Sequence, residues 1–237
     1  MLKEVWVLSP EERAHRQLVR TRRQIANHRS DVMRQIKSLL LFNSMDVPFK
    51  SARWSGPFMN WLVNLDLGYD SLNRSLKALV DLFNYLSAEK KRITEDILEL
   101  AKEEKYAKRV ELLESIPGIG TLSAMEILVE IQDITRFKTA DELAAYLGLT
   151  PSQYSSGEHI RMGHITHAGN KRARTTLVES SWILISKDPE MKRKYQRIKN
   201  KRGGKRAVVA VARNLSGRIR RMLLDQVPYE LNFQKAA

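Results

Sequence analysis

The sequence predicts an all-α protein in which an arginine-rich helix and a coiled-coil region precede a compact helical domain. Three observations carry that expectation. Apolar residues recur at helical spacing along most of the 237 residues. Helix-start signals stand at Ser9-Pro10-Glu11-Glu12, at Thr139-Ala140-Asp141-Glu142 and at Asp188-Pro189, each offering a side-chain oxygen to the unpaired amides of a first turn. No segment alternates cleanly enough to read as a strand, although the short apolar run AVVAVA, residues 207–212, fits either state.

The first helix starts at the Ser9 capping box and runs to about Leu41, with Leu18, Ile25, Val32, Ile36 and Leu39 on a broad apolar face and arginines elsewhere. Pro48, Gly56 and Pro57 interrupt it. Trp54, Phe58, Trp61, Leu62 and Leu65 then recur at helical spacing, which reads as a core face rather than a base-stacking set. From Leu72 to Leu100 the apolar positions step by four and three through Leu76, Leu79, Phe83, Leu86, Ile93 and Ile97, broken at Lys90. Such a 3.5-residue period is the coiled-coil signature and calls for a helical partner. That partner is either a second copy of the chain or the first helix folding back. We place a boundary here, with residues 1–108 as the N-terminal helix and coiled-coil region and 109–237 as the C-terminal domain.

Residues 110–131, VELLESIPGIGTLSAMEILVEI, contain two helices around Pro117-Gly118-Ile119-Gly120. They resemble a helix-hairpin-helix, in which Gly118 and Gly120 let the backbone approach a phosphate and the second helix aims its first amides at it. A glycine-capped turn between two packed helices fits the same spacing. A short helix opens at Thr139 and is closed by Gly148. Residues 171–186 form another, with Leu177, Val178, Trp182, Ile183 and Leu184 expected inside.

Charge narrows the function. Lys and Arg number 41 against 27 Asp and Glu, a formal charge of +14 and a pI near 10.0. Between Lys187 and Arg221 alone, fourteen basic residues stand against Asp188 and Glu190. An apolar stripe of Val208, Val209, Val211, Ala212 and Leu215 runs beneath them, so the segment reads as a helix facing nucleic acid, with Lys205, Arg206 and Arg213 as contacts. The sequence has no cysteine, which excludes disulfides and thiolate zinc sites. No apolar run approaches the roughly 20 residues that cross a bilayer, and the opening residues lack the core of a signal peptide. A cytoplasmic protein without a membrane partner is expected.

The chemistry-bearing stretch is GLTPSQYSSGEHIRMGHITHAGNKRAR, residues 148–174. A serine hydroxyl needs a base, a metal or a charge-stabilising site before it attacks phosphate. Here Gly157 leaves room for a phosphate, and Arg161, Lys171, Arg172 and Arg174 are cations able to hold its oxygens, with Arg172 or Arg174 the leading contacts. Taken alone, a Ser-Ser-Gly loop is also an ordinary turn. His159, His164 and His167 lack the nearby carboxylates or thiolates that back a metal site, so a phosphate contact or proton-transfer role suits them better.

The order IPGIG, FKTADELAAYLGLTP, SSG, GHITHAGNKRAR and a basic helical tail resembles the C-terminal transposase domain of the insertion-sequence 110/116/902 family. The arginine-rich first helix and WSGPFMNWLVNLDL resemble that family's middle region, so the likeness covers nearly the whole chain. It implies a DNA recombinase whose serine, Ser156 with Ser155 as the alternative, attacks a phosphodiester to form a phosphoserine intermediate. It also implies a structured RNA that selects the DNA, and a homo-oligomer joined through the coiled coil. An acidic RuvC-like domain would hold Mg2+. None of its tetrad can be assigned in this chain, whose opening resembles the segment after that domain, so no cofactor is expected on this chain alone. The expectation is a truncated or split transposase acting with a separate RuvC-like half. A non-catalytic nucleic-acid-binding oligomer or an inactive remnant is the alternative.

Overall fold

The computed structural model describes residues 6–48, 54–153, 162–165 and 168–231. The described residues form nine α-helices and one two-stranded sheet: α1 (Pro10–Phe42), α2 (Gly56–Val63), α3 (Asp70–Leu100), α4 (Glu104–Glu114), α5 (Thr121–Ile131), α6 (Ala140–Tyr146), β1 (Pro151–Gln153), β2 (Met162–Ile165), α7 (Lys171–Lys187), α8 (Pro189–Arg202) and α9 (Gly204–Asp225). The all-α expectation therefore holds. The strands are its exception: β1 and β2 pair antiparallel, Pro151 with Ile165 and Gln153 with Met162. At three and four residues they are too short for a two-residue period to be legible in sequence. The ambiguous AVVAVA run lies inside α9.

All three start signals form caps. Ser9 and Glu12 exchange backbone-to-side-chain hydrogen bonds at 2.9 and 3.1 Å. Thr139 Oγ1 accepts from the Glu142 amide at 3.1 Å, while Glu142 reaches back to the Lys138 amide at 2.7 Å. Asp188 accepts from the amides of Glu190 and Met191 at 2.8 and 3.1 Å.

The chain divides into two compact units, one comprising Arg20–Asp96 and the other comprising Met1–Val19 with Ile97–Ala237. Within Arg20–Asp96, the heptad face of α3 is covered by α1 folding back. Val32, Ile36 and Leu40 share one core with Leu76, Val80, Phe83 and Leu86, and Phe58, Leu62 and Leu67 close it. The direction follows from two hydrogen bonds at 2.8 Å, Arg22 to Thr94 and Arg29 to Ser87, whose partners run in opposite order along the chain. Trp54 packs on Phe83 with ring centroids 4.7 Å apart, as a core tryptophan does. Lys90 is half-buried at the break in the heptads, where burial, then Arg22 and Arg29, hold its ammonium below the ordinary lysine range.

In the other unit α9 is the hub. It packs against α4, α6, α7 and α8, and Val211, Ala212, Leu215 and Ile219 have no exposed surface. Gly118 has φ of +95°, and a Cβ there would lie 2.8 Å from both Ile183 Cβ and the Ser180 carbonyl. The freedom of that glycine is thus spent on seating the α4–α5 turn against α7. Gly120, the N-cap of α5, is exposed and would meet nothing within 4 Å.

A second close approach fixes the return of the hairpin into α7. Gly169 has φ of +104°, and a Cβ would lie 2.7 Å from Gly148 N and the Tyr146 carbonyl. Beside it Asn170 N donates to that carbonyl at 2.8 Å. The Asn170 side chain donates to the Glu130 carboxylate at 2.7 Å and accepts from the Ala173 amide at 3.1 Å, capping α7. Tyr146 donates its hydroxyl to the Glu130 carbonyl at 2.7 Å. Glu130 is 2% exposed, so its carboxylate depends on these protein partners in place of water.

Ile36→Ala should lower stability by about 3 kcal/mol, the usual cost of emptying a fully buried site, read from urea unfolding of the full chain by far-UV circular dichroism. Gly169→Ala should cost at least about 2 kcal/mol through its positive φ and the backbone in the way; an unchanged unfolding midpoint would refute the close approach.

Candidate nucleic-acid interface

The face beside the hairpin is built from two helices that turn a corner at Gly203, where φ is +82°. On one side of the corner α8 carries Arg197, Lys201 and Arg202, and on the other α9 carries Lys205, Arg206 and Arg213. Together with Ile198, Val209 and Ala210 they form one wall of a groove of about 830 Å³, and Leu149, Pro151, Gly163 and Ile165 of the hairpin region form the other. Among the described residues six cations line it and no carboxylate does. Arg213 is the compromised member, since it donates to Asp141 Oδ1 at 2.8 Å. Such a groove concentrates positive potential between low-dielectric walls, which suits a polyanion.

A second cavity of about 760 Å³ lies across α9 and offers a contrast. Lys194, Arg213, Arg218 and Arg221 line it together with Asp141, Glu190, Asp225 and Glu230, so its charge is balanced. Much of that charge is already paired. Asp188, 1% exposed, accepts from Arg218 at 3.2 Å and from the Tyr229 hydroxyl. Arg218 also meets Glu190 at 2.5 Å. Burial, then the hydrogen bond to Asp188, push the Tyr229 phenol well above its ordinary range, and burial lowers the Lys194 ammonium. An anion gains little here.

The residues singled out in sequence fall into three groups. Lys205, Arg206 and Arg213 come together in the groove. Lys171 and Arg172 are exposed in the first turn of α7, where the helix amides add to their field. Arg174 differs from its expectation: it is 8% exposed and donates to the Leu147 carbonyl at 2.9 Å, so the guanidinium is committed to the end of α6 instead of to a phosphate. Gly118 faces α7. Trp182 and Ile183, expected inside, are each 49% exposed, because Leu184 and Leu177 take the inward positions of α7. Ser155, Ser156, Gly157, His159, Arg161 and His167 lie outside the described residues, and of His164 only the backbone is described. Among the described residues no three His, Asp or Glu side chains converge to hold a metal ion.

Sequence reasoning passed over Arg197, Lys201 and Arg202 as individuals, and over the Glu130, Tyr146 and Asn170 contacts. For the first group the signal was present as the basic run. For the second it was faint: a lone carboxylate in an apolar helix and an asparagine just ahead of a basic one.

Residues 110–196, which include α5, α6, the hairpin, α7 and the start of α8, match the family described as Transposase IS116/IS110/IS902. The predicted transposase y4qE of Sinorhizobium fredii is 28% identical over 197 residues, covering 83% of this chain and 47% of that protein. The transposase for insertion sequence element IS1111A of Coxiella burnetii is 31% identical, over 57% of this chain and 37% of its own length. The pilin gene-inverting protein of Moraxella bovis is 33% identical, over 45% of this chain and 34% of its own length. The chain spans less than half the length of each of these relatives. The matched region forms the hairpin and its supports, and the relatives come from several insertion elements, so it is residues 110–196 that carry the likeness to the IS116/IS110/IS902 transposase family.

Proposed function

We propose that this chain is the DNA-holding and nucleophile-bearing part of an insertion-sequence transposase, and that the groove between the hairpin and the α8–α9 corner holds the phosphate backbone of the DNA. The observation that carries this reading is the groove itself, lined among the described residues by six cations and no carboxylate, beside the strands whose connecting loop contains Ser155-Ser156-Gly157. Ser156 is three residues from Gln153, so chain connectivity alone keeps its Cα within about 11 Å of that strand end. Its hydroxyl oxygen would attack phosphorus, forming the Ser–O–P bond while the P–O bond to one deoxyribose breaks. The departing sugar oxygen leaves as a hydroxyl, and the serine proton passes to a base. Groove cations and the exposed Lys171 and Arg172 hold the non-bridging oxygens as charge builds.

The described residues offer no carboxylate cluster for the Mg2+ that the family resemblance implies. The ion, a RuvC-like half to carry it and a structured RNA therefore belong to the proposed assembly and not to the groove. Self-association is part of the same proposal. It would use a surface other than the α3 seam from Leu76 to Leu86, which α1 and α2 already cover.

The combined variant Arg197→Glu, Lys201→Glu and Arg206→Glu should weaken duplex DNA binding at least tenfold and flatten its dependence on salt, by about 0.9 in log–log slope for each phosphate that is no longer neutralised. Fluorescence anisotropy across a salt series reads both. Binding that survives intact rejects the groove. With the metal-bearing half supplied, Ser156→Ala should abolish an SDS-resistant protein–DNA adduct that Ser155→Ala retains, and both should bind DNA as wild type does. No adduct in any variant, with groove-dependent binding preserved, would favour the non-catalytic alternative.

A further inference from the structure

Trp182 and Ile183 form an apolar strip that the groove does not use. Each keeps 49% of its surface exposed on α7. The Trp182 ring meets Tyr195 of α8 at 5.7 Å and an interplanar angle of 68°, an edge contact that braces the indole and leaves ring surface open. The ammonium of Lys199 lies 5.9 Å from the Tyr195 ring on its other flank. At the far end of the strip Ile183 abuts the α4–α5 turn at Gly118. The carboxylates of these two helices are Glu179, exposed three residues before Trp182, and Glu190, which pairs with Arg218.

An open indole braced by a tyrosine that itself carries a lysine ammonium has a narrow range of partners. A protein partner would need roughly 800 Å² of surface on this side, far more than two side chains offer. Duplex DNA hides the faces of its bases inside the stack and shows only their edges and the phosphates, so it offers the indole no ring face to stack on. An unpaired base has both parts: a ring face for the indole and a phosphate for Lys199.

Resting on the nucleic-acid reading above, we infer that Trp182, braced by Tyr195 whose ring carries Lys199, is a stacking platform for an unpaired base of a DNA strand. Groove and platform lie on different sides of α8, about one helix diameter, 10–12 Å, apart. A duplex held in the groove would therefore send a separated strand over the shoulder of α8 to Trp182. The assignment is to DNA because the proposed function places DNA in the groove on the other side of α8, within reach of this face.

The test uses the full chain and a single-stranded oligothymidylate, which forms no structure of its own. The sequence holds four tryptophans, Trp6, Trp54, Trp61 and Trp182, so quenching by bound bases should lose its main component in Trp182→Phe while that variant keeps affinity close to wild type. Trp182→Ala should weaken oligothymidylate binding about five- to hundredfold, the range for losing one base–aromatic stack. Its duplex binding and salt slope should stay as in wild type. Unchanged affinity in Trp182→Ala, or equal quenching in wild type and Trp182→Phe, overturns the platform. Quenching by oligouridylate and none by oligothymidylate overturns the assignment to DNA. The Arg197, Lys201 and Arg206 charge-reversal variant separates the two proposals. If it binds duplex like wild type the groove fails, whatever Trp182 does; if it loses duplex while Trp182→Ala binds oligothymidylate normally, the platform alone fails.

Discussion

Glu130 is a carboxylate at the end of an apolar helix with 2% of its surface exposed, and the C-terminal unit is arranged around what it needs. An ionised group in that position costs several kcal/mol unless protein donors replace water. Asn170 supplies one at 2.7 Å, and the same side chain caps α7 through the Ala173 amide. Tyr146 anchors the end of α6 to the carbonyl of the same glutamate. Three helices are thereby fixed to one residue. Both ends of the hairpin emerge from this junction, the first strand just after Gly148 and the return just before Gly169, whose missing Cβ lets the two segments touch. The position of β1 and β2 relative to the basic helices is inherited from these contacts. That accounts for the form of GHITHAGNKRAR: Gly169, Asn170 and Arg174 serve the junction, and Lys171 and Arg172 are left exposed.

The excess positive charge is sorted by α9. On one side its cations meet carboxylates, and the buried Asp188, with Arg218 and Tyr229, ties the segment after α9 to the start of α8. On the other side Lys205 and Arg206 stand with three cations of α8 and no acid among the lining residues. Arg213 lines both cavities, and its pairing with Asp141 at 2.8 Å puts the first turn of α6 within reach of whatever occupies the groove. An anion in the groove competes for the same guanidinium. The fold has therefore neutralised charge where packing required it and left it uncompensated along one surface, a distribution that serves binding more than stability.

The sequence was most legible where a local rule had no rival. Caps at Ser9, Thr139 and Asp188 formed as their side chains dictate, and the heptads of α3 face a helix. It was silent where the answer depends on long-range packing. Spacing could not choose between a second chain and α1 as the partner of α3, because both bury the same apolar stripe. Periodicity placed Trp182 inside α7, yet a helix packed on few sides has inward positions for only part of a broad apolar set, and Leu177 and Leu184 hold them. Arg174 shows the same limit for charge. Nothing local distinguishes it from Arg172, two residues earlier, yet the helix turn sends one guanidinium to the Leu147 carbonyl and leaves the other exposed.

α8 carries this reasoning furthest, since in sequence it is a single basic run. At 100° per residue, measured from the fully buried Met191, Arg197 and Lys201 project to one side of the helix while Tyr195 and Lys199 project to the other. The first pair lines the groove, while Tyr195 meets Trp182 and Lys199 lies over the Tyr195 ring. One amphipathic period thus divides a uniform charge into two surfaces of different character, a cationic groove wall on one and a tyrosine–tryptophan contact on the other. The Asp188 cap and the Met191 anchor set the rotation of α8 about its own axis. Because both surfaces depend on that rotation, the buried contacts of Asp188 with Arg218 and Tyr229 help set which residues face the groove although none of the three lines it.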